Sequence, residues 1–581
     1  MRTTTPNNPQ SDQEVRRHTV WWVLGLVGVL FLGVGLRYPW PADEPRFAQI
    51  AREMVESGQW LFPTRGGEFY PDKPPVFMWI SAALYALIGH LKVSFLLPST
   101  LAAIGTLLLV RDLALRLWNG HVAFWAVLIL AFTPQFLLQG KAAQIDALVT
   151  FWITLGCYGL VRHFMTGPHW GWYFVSWVAM GLGIMTKGVG FLPLLMLLPL
   201  AVWVRNPAAV NEEDKVWRWR AVAGLLVLLL TVACWLGPML WQVHSQGTAD
   251  LLAYRNNILF RQTAERYANA WGHIKPWHYF LTQAMPVVWF PLPFVLLALI
   301  KPLATLWRED ARLRVLLVWV ALVVLFFSLS KGKREVYIFP ALPMLALVAA
   351  VLWDSARASK GARVLSAVLP WVLGLAALAI AGLGAVIQWA PHKLSARLQE
   401  YGDLLDTLGL PLVGLGVALL VLLVLFRRQD LFVRMAINSL AIWVFVSLVA
   451  WPRVDPHRTP QQIMADVESH LPAGAELGLV QFKEQFLLFS QRRLTHFSYL
   501  SPLKEQERRA WLWVHEAPNR FVLVPTDAEL TCFDFSHAVT LGEAHRREWV
   551  LLGTEALHET CPAPTTDKRF VYVPRTEGVL P

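Results

Sequence analysis

Charged residues are scarce in this chain of 581 residues, since Asp, Glu, Lys and Arg together make up only 16% of it. Hydrophobic residues make up 55%, and the mean hydropathy is +0.44. Soluble domains carry about 25% charged residues, so this composition excludes a soluble globular protein and indicates many membrane spans. The sequence also lacks the signatures of nucleic-acid-binding modules, so we assign its formal net charge of +11 to membrane topology and lipid phosphate contact. We expect no nucleic-acid partner.

Cysteine is equally rare, with four residues in the whole chain. Cys157 and Cys234 lie inside apolar runs, which is typical of inert core thiols. Cys532 and Cys561 lie in a polar C-terminal segment. If that segment faces an oxidising compartment, a bridge between them would close a loop of roughly 30 residues and contribute about 3–4 kcal/mol. The sequence alone leaves open whether the two residues meet.

Apolar runs long enough to cross a bilayer predict thirteen spans. They lie at about residues 19–36, 94–116, 122–138, 146–164, 170–186, 188–204, 221–243, 282–302, 314–329, 336–353, 364–388, 408–426 and 434–451. No cleavable signal peptide is evident, because residues 1–19 are polar and the first apolar run lacks a small-residue cleavage site.

The composition changes after residue 451, where charged and polar residues become frequent. Helical spacing in Gln461–His470 and strand-like runs at 476–480 and 520–524 predict a small α/β domain. The expected fold is therefore an all-α polytopic membrane protein of about 13 transmembrane helices with a small C-terminal α/β soluble domain. We expect its parts to be a tail at 1–18, a transmembrane domain at 19–451 and the soluble domain at 452–581.

Lys and Arg in the short loops predict the orientation of the spans. With the basic pair at 16–17 inside, the first span places Asp43 outside. A further apolar run at 74–89 either crosses the bilayer, which puts Asp146 inside, or lies along the outer interface as an amphipathic helix. The interfacial arrangement keeps nearly all loop Lys and Arg inside, and we adopt it. It predicts a cytoplasmic N-terminus, a periplasmic C-terminus and a first periplasmic loop at 37–93.

This first loop begins with an acidic segment at 41–46 that reads Pro-Ala-Asp-Glu-Pro-Arg. Apolar residues at helical spacing follow, with Asp43 at the cap position, Pro45 in the first turn and Gly58 as a stop. The spacing predicts an amphipathic helix on the membrane surface. Its polar face is expected to carry Arg52, Glu53 and Glu56. Asp43 is either a helix cap alone or a rigidly held carboxylate that also orients or deprotonates a substrate.

The second charged motif of the loop runs from Asp72 to Pro75 and reads Asp-Lys-Pro-Pro. The two prolines stiffen the backbone and open the next helix, which fixes the direction of Lys73. A Lys on the outer face opposes the inside preference, and contact with a phosphate explains it. The alternative is an ion pair with Asp72 or Glu68.

Further charged residues fall in other predicted outer turns. Asp146 closes the segment 139–146 and is either a helix cap or a site carboxylate. Seven cations also face outward where topology does not require them: Lys187, Arg255, Arg261, Arg266, Lys331, Lys333 and Arg334. A bound phosphate is the simplest counterion for them. The competing explanation is contact with anionic headgroups, worth about 1 kcal/mol per residue.

The order, spacing and common sidedness of these motifs resemble those of integral-membrane glycosyltransferases that take a sugar from a polyprenyl-phosphate carrier. The chain is most similar to the bacterial lipid A aminoarabinose transferases and their protein O-mannosyltransferase relatives, which are of the GT-C type. The motifs cover about residues 20–350. The resemblance implies a single inverting displacement, a polyprenyl-phosphate sugar donor, a periplasmic active site in the inner membrane, and lipid A or another glycolipid or protein as acceptor. The absence of a glycine-rich nucleotide loop fits a donor that is activated elsewhere.

The resemblance also implies roles for individual residues. The catalytic residues are expected to be Asp43, Glu44 and Asp146. The residues that bind the donor or acceptor phosphate are expected to be Arg46, Lys73, Lys187, Arg261, Lys331, Lys333 and Tyr337.

Where the family's loop often reads Glu-Lys-Pro-Pro, this chain has the shorter carboxylate Asp72. Asp72 with His273 is a candidate pair for a divalent metal ion. Two ligands are too few to specify a metal, and a hydrogen-bonding histidine is the alternative. We expect no other cofactor.

Two other classes of protein compete with this interpretation. A transporter predicts ionisable groups near mid-membrane in broken helices, often in two related halves, whereas here the charges gather at one face and no halves repeat. A scaffold whose C-terminal domain binds partners would leave the outer charges expendable. We favour transfer of 4-amino-4-deoxy-L-arabinose from undecaprenyl phosphate to lipid A, with transfer to a protein or another glycan as the alternative.

Overall fold

The computed structural model describes residues 9–204, 214–265, 273–395, 402–544 and 547–573. The chain divides into two compact units. We call the first, formed by Met1–Leu32, Asp72–Phe77 and Pro98–Val449, the helical unit. We call the second, formed by Gly33–Pro71, Met78–Leu97 and Ala450–Pro581, the mixed unit. The predicted domain bounds at 19–451 and 452–581 stay a prediction.

The helical unit consists of apolar helices joined by short turns. Its α-helices are Pro9–Phe31, Leu97–Leu117, Gly120–Phe132, Pro134–Gly140, Ile145–Met165, Trp170–Lys187, Leu197–Trp203, Asp214–Gln246, Ala249–Asn256, Met285–Val288, Leu292–Ala298, Ile300–Glu309, Ala311–Leu329, Leu342–Ala356, Lys360–Trp389, Gly402–Leu425 and Leu431–Phe445. Short 3₁₀ or π turns lie at Leu192–Met196, Asn257–Glu265, Phe280–Ala284, Glu335–Ala341, Pro391–Lys393 and Val446–Ala450. Except at its ends, a helix satisfies its own backbone hydrogen bonds, as the apolar interior of a membrane requires.

Eight helices of the described ranges are long and apolar enough to cross a membrane, or up to ten if each of two bent pairs is one span. One bent pair, Gly120–Phe132 with Pro134–Gly140, turns by 70°. Thr133 is extended there because a residue before proline avoids the helical region, and Pro134 opens the second helix. Shorter apolar helices occupy Arg17–Phe31, Val76–Ile88 and Leu192–Trp203. The predicted count of thirteen spans stays a prediction.

The mixed unit combines helices with two sheets. Its helices are Glu44–Ser57, most of Val76–Ile88, Leu91–Ser94, Trp451–Arg458, Gln461–His470, Glu484–Phe489 and Leu503–His515. Its strands are β1 (Thr64–Arg65), β2 (Glu68–Phe69), β3 (Glu476–Leu479), β4 (Leu494–His496), β5 (Arg520–Pro525), β6 (Val539–Ala544), β7 (Arg547–Leu552) and β8 (Phe570–Tyr572). β1 and β2 form an antiparallel hairpin. The other six form one sheet in the order β6-β7-β5-β3-β4-β8, in which β3 is parallel to β4 and β5.

The predicted C-terminal α/β domain is confirmed in its elements. Helix Gln461–His470 has the expected bounds, and strands begin at the expected residues 476 and 520. Cys532 and Cys561 form a disulfide, with their Cα atoms 5.3 Å apart. The bridge that the sequence left open is therefore present.

The helix after the acidic segment, Glu44–Ser57, ends as predicted at Gly58, whose φ of 70° lets its N–H bond to the carbonyl of Met54. Its expected exposed polar face is wrong, because Arg52 and Glu53 are buried. The Glu53 carboxylate accepts hydrogen bonds from the backbone N–H groups of Gly66 at 2.6 Å and Gly67 at 3.0 Å. Arg52 donates to the carbonyl of Leu487 at 3.0 Å. Residues remote in sequence therefore cover the face that helical spacing assigns to solvent.

Candidate functional site

The first candidate carboxylate, Asp43, lies directly before helix Glu44–Ser57 in the mixed unit. It occupies the N-cap position, but its side chain makes no capping hydrogen bond. Its Oδ1 instead lies 3.4 Å from Nη1 of Arg46, and 31% of the side chain is exposed. The cap interpretation of Asp43 is therefore wrong for its side chain. Since the carboxylate is accessible and its one ion pair with a described residue is long, it can accept a further contact from a ligand.

Glu44, the second expected catalytic residue, is buried. Its two oxygens accept from both terminal nitrogens of Arg37, at 2.7 Å for Nη2, and from the backbone N–H of Trp40 at 2.8 Å. The Arg37 guanidinium lies 4.8 Å from the Trp40 ring and 4.6 Å from the Trp451 ring. A buried, bidentate ion pair of this kind fixes the relative positions of the two side chains. Glu44 therefore holds the loop that carries Asp43.

Asp455 is a residue of this loop environment that the sequence did not single out. Its Oδ1 accepts from the Trp40 indole at 2.6 Å and from the backbone N–H of Tyr38 at 3.0 Å. It is more than 400 positions away from these donors. No local signal could have paired it with them, because the contact exists only after the chain has folded.

Arg46 is predicted to contact phosphate, and it lies beside a second unforeseen residue, Glu484. Its Nε is 3.5 Å from Glu484 Oε1, while Arg65 donates from Nε to Oε2 of the same carboxylate at 2.9 Å. Glu484 is buried, whereas 25% of the Arg46 side chain is exposed. One carboxylate thus holds two guanidinium groups and leaves both with unused donors.

Three predicted site residues come together in the helical unit: Asp146, Lys187 and Tyr337. The Lys187 ammonium donates to Asp146 Oδ1 and lies 5.2 Å from the centroid of the Tyr337 ring. Only 10% of the Asp146 side chain and 17% of the Lys187 side chain are exposed. A partly open ammonium held by one carboxylate and an aromatic face is able to bind an anion that enters from the open side.

Helix ends position this cluster. The N-cap of helix Ile145–Met165 is Gln144, so Asp146 lies in the first turn, and the expectation that it caps the helix is wrong. Lys187 is the last residue of helix Trp170–Lys187, which Gly188 closes with a φ of 84°. An acid in a first turn and a base in a last turn are both favoured by the helix dipole.

The segment before Asp146 is held by hydrogen bonds to neighbouring helices. The Lys141 ammonium donates to the carbonyls of Val29 at 2.7 Å and Leu32 at 2.5 Å, which lie at the end of helix Pro9–Phe31 and lack helical partners. Ser99 Oγ donates to the carbonyl of Gln144 at 3.1 Å. Lys141 is thus a structural cap, and the turn that leads into Asp146 is fixed on both sides.

Tyr337 lies in the turn Glu335–Ala341, which is also fixed. The hydroxyl of Tyr279 donates to Glu335 Oε1 at 2.5 Å, and Gln135 donates to the Glu335 carbonyl at 2.9 Å. Burial, with a smaller contribution from Glu335, raises the pKa of Tyr279 to about 12, so this phenol remains a donor. The turn therefore presents Tyr337 to Lys187 in a defined position.

The other predicted phosphate-binding residues differ in their surroundings. Lys333 is buried and donates to the carbonyls of Ser330 and, at 3.1 Å, Lys275, and burial lowers its pKa. Lys331 and Arg261 are exposed, and Lys73 is half-buried before helix Val76–Ile88. Glu68, one suggested partner of Lys73, accepts instead from Ser498 Oγ at 2.6 Å. Arg266 lies outside the described residues.

The candidate metal pair is Asp72 with His273. Within the described ranges, no group of three or more His, Cys, Asp or Glu residues is arranged to hold a metal ion. Asp72 is half-buried, and His273 is exposed with a φ of 57°. Two ligands do not make a divalent site by themselves. The Asp72–His273 pair stays a prediction.

Comparison with known proteins gives the same family of relatives as the motifs. Residues 31–246 match the family described as dolichyl-phosphate-mannose-protein mannosyltransferase. An undecaprenyl phosphate-alpha-4-amino-4-deoxy-L-arabinose arabinosyl transferase 1 of Pseudomonas fluorescens is 33% identical over 58% of this chain and 61% of its own length. The corresponding transferase of Pseudomonas aeruginosa is 30% identical over 63% of this chain and 65% of its own length. The predicted resemblance is confirmed, although the match spans less than two thirds of these relatives.

A solved structure extends the likeness to nearly the whole fold. ArnT from Cupriavidus metallidurans bound to undecaprenyl phosphate superposes with a TM-score of 0.70, covering 93% of this chain and 99% of that chain at 20% identity. Its apo form gives a TM-score of 0.71. The expected fold class, a polytopic helical membrane protein with a small C-terminal sheet domain, is confirmed. The chain is a multi-pass membrane protein with the ArnT fold.

Proposed function

We propose that this chain is an inverting glycosyltransferase of the bacterial inner membrane. It moves 4-amino-4-deoxy-L-arabinose from undecaprenyl phosphate to lipid A or a related acceptor at the periplasmic face. Support comes from the relatives named for that donor and from the neighbour of the same fold that binds undecaprenyl phosphate. A cytoplasmic N-terminus and a periplasmic C-terminus belong to the proposal and rest on the distribution of Lys and Arg.

The observation that carries the proposal is the contact of Lys187 with Asp146 beside Tyr337. In the transfer, an acceptor oxygen forms a bond to the anomeric carbon while the bond from that carbon to the carrier's phosphate oxygen breaks. The electron pair of the broken bond stays on the phosphate, which becomes a dianion. Lys187 is held where it can stabilise this added charge, and Asp146 keeps its ammonium oriented. In the proposal, Lys73 is a further contact of the carrier phosphate and Arg46 a contact of the acceptor phosphate.

In the proposal, Asp43 acts on the acceptor. Its exposed carboxylate lies next to Arg46, which can hold a phosphate while Asp43 orients the attacking oxygen. If the acceptor is a phosphate of lipid A, it is already anionic and needs no base. If the acceptor is a hydroxyl of a protein or another glycan, Asp43 takes its proton as a general base. Glu44 remains in the proposal only as a positioning residue.

Membranes that contain the protein, supplied with radiolabelled undecaprenyl-phosphate aminoarabinose and lipid A, test the assignment. Asp43→Asn, Lys73→Ala and Lys187→Met should each lower kcat, by about 10²-fold or more where a transition-state contact is lost. The matched control is Asp403→Asn, an exposed acid at the start of helix Gly402–Leu425, which should transfer normally.

Undiminished transfer by Asp43→Asn and Lys73→Ala would remove the site assignment. Mass analysis of lipid A from cells with and without the protein separates the acceptors. Unaltered lipid A together with label on protein or another glycan would move the proposal to that acceptor.

A further inference from the structure

The mixed unit contains a small cavity whose wall is strongly basic. Its volume is about 220 Å³, and it is lined by Pro41, Ala42, Arg46, Arg65, Lys483, Glu484, Gln485, Arg547 and Trp549. Four of these residues are cationic and one is anionic. The volume is below the roughly 300–1,000 Å³ typical of sites for drug-sized ligands, so the cavity suits a single charged headgroup.

Among the described residues, the ion pairs of the wall include three of its four cations. Glu484 is shared by Arg46 and Arg65. Arg547 donates to the Gln481 amide oxygen at 2.6 Å and to Asp527, which lies outside the wall, at 2.7 Å. Lys483 is exposed, and its side-chain ammonium forms no hydrogen bond or ion pair with any described residue.

The charged groups of the wall shift the pKa of Lys483. Desolvation lowers its pKa, Glu484 raises it, and Arg65, Arg547 and Arg46 lower it further. A lysine surrounded by three guanidinium groups is held in a positive potential, and an entering anion relieves the repulsion. Arg forks and a Lys point charge are the usual contacts of a phosphate.

A second cavity adjoins the first, and Lys483 lines both. Its volume is about 190 Å³, and the other lining residues are Gln481, Phe482, Tyr499 and Gln506. The Gln506 amide oxygen accepts a hydrogen bond from the backbone N–H of Gln481 at 3.0 Å, which fixes the Gln506 side chain. The NH₂ group of the same amide donates to the Ser501 carbonyl. Amide groups beside aromatic rings are suited to sugar hydroxyls and the apolar face of a sugar ring.

From these two cavities we infer that the mixed unit binds a phosphorylated sugar, with the phosphate among Arg46, Lys483 and Arg547 and the sugar against Gln481 and Gln506. If the proposed function holds, on which this step rests, the ligand is the phosphorylated glucosamine headgroup of the acceptor. Arg46 links this cavity to the proposed acceptor site, since the same side chain contacts Asp43 and lines the basic cavity. Lys483 and Arg547 then determine which acceptors the protein accepts.

The first test measures binding without turnover. The full chain is purified in a phosphate-free maltoside detergent, undecaprenyl phosphate is added to fill the donor site, and glucosamine 1-phosphate is titrated while its ³¹P resonance is followed. Lys483→Met and Arg547→Gln should each weaken its binding about tenfold, as expected when one charge-assisted contact is lost. Lys483→Arg should restore most of it. The matched control is Lys393→Met, an exposed lysine that lines neither cavity, which should bind as the wild type does.

Inorganic phosphate in place of the sugar phosphate distinguishes the source of affinity. Weaker binding of inorganic phosphate supports the phosphorylated sugar. Equal binding of the two probes would overturn the sugar half of the inference, and unchanged binding in both Lys483→Met and Arg547→Gln would overturn it entirely.

The second test measures transfer to lipid A. The KM for lipid A should rise about tenfold in Lys483→Met, while the KM for the donor stays constant. If the wild type transfers and this KM does not change, the cavity inference fails and the proposed function stands. If the wild type transfers no sugar but the variants bind glucosamine 1-phosphate more weakly than the wild type does, the proposed function fails and the cavity remains a phosphorylated-sugar site.

Discussion

His496 should make the stability of the mixed unit depend on pH. The residue is fully buried at the end of β4, and its Nε2 donates to the carbonyl of Gly66 at 2.7 Å. Its Nδ1 is buried without a hydrogen-bond partner among the described residues. The ring lies 4.2 Å from the ring of Phe482 and 5.2 Å from that of Phe570. A second proton would therefore have no acceptor in an apolar site.

Burial is the main cause that lowers the pKa of His496 to about 4; the hydrogen bond to the Gly66 carbonyl opposes the shift, and Arg65 acts in the same direction as burial. An unfolded histidine has a pKa of about 6.5. Above pH 6.5 the residue is neutral in both states and costs nothing. As the pH falls below 6.5, only the unfolded state gains the proton, so the free energy of unfolding decreases. The loss is about 2 kcal/mol at pH 5 and levels off at about 3 kcal/mol below pH 4.

Thermal unfolding of the full chain in detergent, followed by tryptophan fluorescence at pH 7.5 and pH 5.0, measures this loss. His496→Gln keeps an amide donor for the Gly66 carbonyl and removes the titration. The wild type should lose about 4–8 °C more than the variant between the two pH values. His515→Gln, which changes an exposed histidine of the same unit, should behave as the wild type does. An equal loss in wild type and His496→Gln would show that His496 is not held neutral by burial.

Three further substitutions test the arrangement around the site. Glu44→Gln removes the carboxylate that pairs with the buried Arg37 guanidinium, so it should lower the free energy of unfolding by about 3–5 kcal/mol. Asp43→Asn should instead reduce transfer and leave the melting temperature unchanged, and a stable Glu44→Gln would contradict the positioning role. Glu53→Gln loses charge-assisted bonds from Gly66 and Gly67 and should cost about 2–4 kcal/mol in a urea titration, with the exposed Glu529→Gln as control. Cys532→Ser should cost about 3 kcal/mol, and dithiothreitol should lower the melting temperature of the wild type but not of this variant.

Local signals account for the parts of the structure that the sequence predicted. Gly58 ends its helix because only a residue that tolerates positive φ closes a helix in this way, and that requirement is readable from the sequence. Helix Gln461–His470 and strands β3 and β5 follow the apolar period of their own residues. The motif order predicted the resemblance to lipid-linked-sugar transferases.

Long-range contacts account for the parts that it did not predict. Arg52 and Glu53 have the spacing of an exposed helix face, but residues 64–67 and Leu487 cover them. Glu484 reads as an ordinary surface acid and is instead the shared partner of Arg46 and Arg65. Such pairings depend on which distant segments meet.

The sequence by itself determined that this chain has many apolar helices and a small α/β domain, because composition and periodicity are properties of each segment alone. That its acids and bases lie in loops on one side of the membrane stays a prediction from the distribution of Lys and Arg. Only the tertiary structure decided that Lys187 meets Asp146 beside Tyr337, that Glu44 is bound by Arg37, and that the Lys483 ammonium forms no ion pair with a described residue. The physical reason is that a charge takes its role from the partners within a few ångströms of it, and those partners come from other parts of the folded chain.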